Sequence, residues 1–80
     1  MFLFFPKTIP KEKPALPKLT PRQRECLQFT AEGHTARSIA HQLGISERMV
    51  RFHLEAARLR LNAGSTTQAV HLATKLGLID

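Results

Sequence analysis

The sequence predicts an all-α fold, a four-helix domain with a helix-turn-helix at its centre. Three observations predict it. Ser or Thr stands at four points where a helix can begin, with Gly closing three of the segments that follow. No stretch alternates apolar and polar residues as a half-buried strand does. And in residues 39–56, IAHQLGISERMVRFHLEA, a glycine stops one short helix and a serine two residues later starts another, with arginines on its outer face.

Taken in order, Thr20 caps helix one, with Pro21 at its first position and Gln23 completing a capping box. Leu27 and Ala31 are expected to line its inner side, Cys26 and Phe29 to lie beside them, and Gly33 to stop it. Thr35 caps a short helix two carrying Ile39, Ala40 and Leu43, which Gly44 ends. Ser46 caps helix three, from about Glu47 to Leu61. Ser65, with Gln68 three residues on, opens helix four, which runs to Leu76 before Gly77.

The few residues between helices two and three force a sharp turn. Ala40 is small enough for close approach, Gly44 takes a turn conformation costly for other residues, and Val50 anchors the second helix. At 100° per residue, Val50, Leu54, Ala57 and Leu61 form one narrow inward stripe on helix three. The opposite side presents Arg48, Phe52 and Glu55, with Arg51 on its flank. A helix fits the DNA major groove, where Arg can bond guanine twice and an apolar group can touch a thymine methyl. Phe52 either makes such a contact or forms a lid over a neighbouring helix. Glu55 either accepts from cytosine or orders Arg51 and Arg58 through helical pairing.

Composition agrees with this reading. Twelve Lys and Arg against six Asp and Glu give a formal charge of +6, and a sequence pI near 10.5. Such a balance points to a polyanion, nucleic acid or an anionic membrane surface. Eighty residues make one domain, which buries only about 60% of its unfolded surface. One cysteine excludes an internal disulfide and a four-cysteine metal site, and Cys26 reads as a small hydrophobe. His34, His41, His53 and His71 lie on different elements with no pair at i, i+4, so no metal, cofactor or enzymatic centre is expected. The opening MFLFF is ended by Pro6 and Lys7, too short for a signal core or a membrane span, and the expected location is cytoplasmic.

Residues 1–18 differ in kind from residues 19–80. Pro6, Pro10, Pro14 and Pro17 disfavour helix, and Lys7, Lys11, Lys13 and Lys18 against Glu12 give 4 − 1 = +3. This arm reads as an extended or disordered linker, with non-specific phosphate attraction as the alternative. Phe2, Leu3, Phe4 and Phe5 could dock on the domain or on a neighbour.

With these positions in view, residues 19–80 resemble the LuxR-type, GerE-like, DNA-binding domain. The matching residues are Leu19, Thr20, Arg22, Glu25, Leu27, Ala31 and Gly33, then Ile39, Ala40, Leu43, Ile45 and Ser46. They continue through Val50, His53, Leu54, Leu61, Ala63, Ala69 and Val70 to the closing Gly77, Leu78 and Ile79. RFHL and TQAV look most like the quorum-sensing branch, whose members bind acyl-homoserine lactones through a separate N-terminal domain. The chain is therefore expected to be a severed effector domain or a stand-alone regulator.

The resemblance implies a DNA-facing set of Thr35, Glu47, Arg48, Met49, Arg51, Phe52, Glu55 and Arg60, with Thr35, Met49 and Arg60 near phosphates. It also implies dimerisation through helix four, at Ala69, Leu72, Ala73 and Leu76. Apolar residues there span about 160° of the circumference, wider than one-sided packing needs, and the surplus edge is at Leu72 or Leu76. Departures from the family pattern include Gln23 and Ser38 for glutamate, His34 for lysine, Met49 for threonine and Thr66 for a basic residue; the last three weaken expected backbone contacts. The partners implied are double-stranded DNA at a pseudo-palindromic site, a second copy of the chain and RNA polymerase, with no membrane. Two alternatives stand beside this one: an antagonist that pairs with a full-length regulator without binding DNA, and a sigma-factor region-four module.

Overall fold

The computed structural model describes residues 16–80. The arm residues Lys7, Lys11 and Lys13 and the apolar Phe2–Phe5 lie outside them. Four helices follow in order: α1 (Pro21–Ala31), α2 (Ala36–Leu43), α3 (Glu47–Arg60) and α4 (Thr66–Lys75). Among the described residues there is no strand, and no helix is long and apolar enough to cross a membrane.

Local hydrogen bonds explain where the helices start and stop. The Gln23 N–H donates to Thr20 Oγ1 at 3.1 Å, and the Thr20 N–H donates to Gln23 Oε1 at 3.0 Å, which satisfies two otherwise orphaned donors. Thr35, Ser46 and Ser65 accept in the same way from Ser38, Met49 and Gln68. Each helix ends by passing through a left-handed residue: Gly33, Gly44, Asn62 and Gly77. The next residue then donates back five positions, as from Ile45 to the Ala40 carbonyl at 3.1 Å. Asn62, with φ 55°, stops α3 at a place where the sequence gives no glycine signal. Asn tolerates that conformation because its short amide can bond locally.

Gly44 has φ 69° and ψ 34°, and a Cβ built on it would meet nothing within 4 Å. Gly44→Val is therefore expected to cost about 1–2 kcal/mol through strain in its own backbone rather than through a neighbour. A domain of this size converts that into a Tm drop of about 5–15 °C. Gly44→Asn serves as the tolerant control. An unchanged melting curve for the valine variant would contradict a left-handed turn here.

α3 runs through the centre of the domain, between two clusters of buried side chains. Cys26, Ile39, Ala40 and Val50 join α1, α2 and α3. Leu27, Ala57, Leu61, Ala63, Ala69, Ala73 and Ile79 join α1, α3 and α4. Leu54 packs against both. The inward stripe expected on α3 thus forms the join between the clusters. Alanines at α3 and α4 positions let the backbones approach closely. Burial pushes the Cys26 thiol up, which disfavours its thiolate and fits a packing role. One core expectation fails: Ala31 is exposed. It is the last residue of α1, where the chain turns away at Glu32 and Gly33 before anything can cover it.

Candidate nucleic-acid interface

With one side of α3 committed to the core, the other is left bare. Arg48, Phe52 and Glu55 are all exposed along it. Phe52 is 63% exposed and Met49, on the flank, 42%. That exposure argues against Phe52 as a lid over a neighbouring helix; its ring lies 5.8 Å, centroid to centroid, from that of the adjacent His53. Leu59, also 63% exposed, extends the same line seven residues beyond Phe52 and is absent from the expected set. The i, i+7 spacing could have revealed it.

The charged groups on this face are partly ordered by one another. Arg51 Nη1 bonds Glu47 Oε1 at 3.1 Å, while 65% of the Arg51 side chain stays exposed. An exposed pair of this kind has little net strength and can open to a ligand. Glu55 pairs with Arg58 through both oxygens. It therefore orders Arg58 and leaves Arg51 to Glu47. The Arg58 hydrogen bond holds the Glu55 carboxyl below its ordinary range. Arg48 makes no ion pair and no side-chain hydrogen bond among the described residues, which leaves its whole guanidinium for a partner.

Beside Arg51 an open cleft of about 340 Å³ is lined by Ala36, Arg51, Leu54, Glu55 and Thr66. Ala36 and Thr66 are the first residues of α2 and α4, so two helix N-termini converge there. Helix N-termini carry unpaired N–H groups and partial positive charge, which suit a phosphate. Thr35, the cap of α2, stands next to Ala36 and is exposed. His34 does not reach out as a lysine would. Its Nδ1 lies 2.9 Å from Ser38 Oγ, and its ring meets the edge of Phe29 at 5.1 Å.

The dimer expectation for α4 needs correction, and Arg60, expected near a phosphate, stands apart from Arg48, Phe52 and Glu55. It lies at the far end of α3, about 18 Å along the axis from Arg48. There its Nη1 donates to the Lys18 carbonyl at 2.8 Å, tying the segment before α1 to the end of α3. Ala69 and Ala73 are fully buried against α1 and α3, so a second copy cannot reach them. Of the other two expected dimer residues, Leu72 of α4 is half-buried and Leu76, which caps α4, is 39% exposed. The wide apolar arc of α4 is mostly consumed by the domain's own core.

Comparison with known proteins places these features. The family described as bacterial regulatory proteins, luxR family, matches residues 17–73. The transcriptional activator protein SolR of Ralstonia nicotianae is 46% identical over 74 residues, 92% of this chain and 30% of that protein. The HTH-type quorum sensing-dependent transcriptional regulator RpaR of Rhodopseudomonas palustris is 50% identical over 62 residues, 78% of this chain and 26% of that protein. The chain thus spans less than a third of the length of these relatives, which are transcriptional regulators by name. Among solved structures, the transcription factor GerE superposes with a TM-score of 0.75 at 32% identity, covering 78% of this chain and 92% of GerE. The phage VqmA–DPO complex gives 0.73 at 32% identity, over 81% of this chain and 30% of that one.

Proposed function

This chain belongs to the LuxR family of bacterial regulatory proteins, and we propose that it binds double-stranded DNA sequence-specifically, in the cytoplasm, as the DNA-reading part of a transcriptional regulator. The observation that carries the proposal is the bare face of α3, where Arg48, without an ion-pair partner among the described residues, and an exposed Phe52 stand beside Arg51 and the paired N-termini of α2 and α4. Arg48 and Arg51 contact base edges, Phe52 touches a thymine methyl, and Thr35, Ala36 and Thr66 meet the backbone. Glu47 holds Arg51 until DNA competes for it. A formal charge of +6 supports the same partner. The quorum-sensing names of relatives such as RpaR support a regulatory role tied to that signalling.

Two copies bind one pseudo-palindromic site, meeting at Leu76, the cap residue of α4, with Leu72 beside it. So small a contact has little apolar area to offset association entropy, so the chain is a monomer or weak dimer when free. Site selection from random duplexes followed by gel shift tests both statements. The expected result is a specific complex on paired half-sites whose centres lie about 10 base pairs apart. Leu76→Asp is expected to weaken binding to the paired site without altering the sequence preferred. Full affinity for single half-sites would remove the dimer. A folded chain that enriches no sequence would favour the antagonist reading, and the inward-folded His34 is the observation on that side. RNA polymerase is a further partner expected of an activator, testable by transcription from the selected site.

A further inference from the structure

Glu55 stands in the middle of the bare face of α3, and its carboxylate is held rather than loose. Arg58 Nε bonds Glu55 Oε1 at 3.1 Å and Nη2 bonds Oε2, so one planar guanidinium grips both oxygens. The third nitrogen, Nη1, donates to the Ala63 carbonyl at 2.8 Å. Ala63 is buried in the connection to α4, so the guanidinium is moored to the body of the domain. Arg51 differs in kind. It has one bond to Glu47 and a 65% exposed side chain, against 25% for Arg58.

This arrangement has consequences in a groove flanked by phosphates. An uncompensated carboxylate would be repelled there, and Arg58 cancels its charge. Because Arg58 is moored to Ala63, it cannot leave Glu55 for a phosphate or a guanine without breaking three hydrogen bonds. Each carboxylate oxygen has two lone pairs. The fork occupies one on each and leaves the other free. Guanine and thymine offer a carboxylate only acceptors at the major-groove edge, while adenine sets its N7 acceptor beside its amino donor. Cytosine presents its N4 donor alone.

We infer that Arg58 is a positioning residue for base recognition, fixing and neutralising the Glu55 carboxylate so that α3 selects cytosine at the base pair beneath it. The inference rests on the proposal that α3 enters the major groove. An ordinary surface ion pair that merely supports the helix would look similar, but it would leave base preference untouched.

The test is selection from a randomised duplex library by the full 80-residue chain, unaltered and as Glu55→Gln, Arg58→Gln, Arg58→Lys and Arg48→Ala. The unaltered protein is expected to favour cytosine about tenfold at one position. Glu55→Gln is expected to move that preference to adenine, whose N6 and N7 match an amide. Arg58→Gln is expected to reduce the cytosine preference to about twofold or less while guanine positions elsewhere keep theirs. Arg58→Lys guards against a folding artefact, since it keeps the cation but cannot grip both oxygens. It is expected to lose the same preference with a near-normal melting curve. Undiminished cytosine preference in both Arg58 variants overturns the inference, as does a uniform loss of affinity with base preference intact. If guanine enrichment still depends on Arg48 in those cases, the groove reading survives. An unaltered protein that enriches no sequence overturns both together.

Discussion

Leu27→Ala is expected to lower the Tm by at least about 10 °C, the largest stability effect of any single truncation in this domain. Leu27 is fully buried in the cluster it shares with Ala57, Leu61, Ala69, Ala73 and Ile79. A close-packed core relaxes only partly into the space a leucine leaves, so a cavity persists. Leucine-to-alanine changes at such sites cost about 2–5 kcal/mol, whereas native stability is only about 0.05–0.15 kcal/mol per residue. A large fraction of the chains would then be unfolded at growth temperature. Leu59→Ala is the control, because Leu59 is 63% exposed and surface changes usually stay within about 0.5 kcal/mol. Thermal melts of the two variants check the prediction. Similar curves for both would mean that Leu27 does not occupy the centre of the core.

The second large effect concerns recognition. Arg48→Ala is expected to weaken binding to the selected site more than to scrambled DNA, by about 1–3 kcal/mol of discrimination. Arg51→Ala is expected to act in the same direction but less strongly, because Arg51 must first leave Glu47. Replacing Lys11 and Lys13 of the arm should instead affect both duplexes alike. If those lysines touch phosphates, the salt slope falls by about 0.9 for each lysine replaced. Binding isotherms at several salt concentrations separate the two behaviours. Equal losses on specific and scrambled DNA for Arg48→Ala and Arg51→Ala would reduce α3 to an electrostatic rail and sink its base-reading role.

Both predictions draw on features of different legibility. The helices and their order could be read from the sequence because each boundary is made by hydrogen bonds three to five residues long. Thr20 with Gln23, Thr35 with Ser38, Ser46 with Met49 and Ser65 with Gln68 depend on no distant partner. The glycine stops share that independence. Asn62 is not legible in the same way, because asparagine adopts many conformations and only the Ala63 bond back to Arg58 identifies its role. The outward direction of Arg48, Phe52 and Glu55 follows from helical geometry once Val50 and Ala57 are assigned inward.

Four capped helices, the sharp turn at Gly44 and the outward side of α3 are therefore written into short stretches of residues. Packing of the helices settled which apolar residues of α4 were available, since Ala69 and Ala73 vanish only when α1 and α3 pack against them. It also decided that Phe52 stays largely exposed, that Arg60 turns to the Lys18 carbonyl and that Arg58 moors Glu55 to Ala63. The difference is one of range. Caps and turns are satisfied within one helical turn, whereas burial and the choice among charged partners depend on which surfaces meet once the chain has closed.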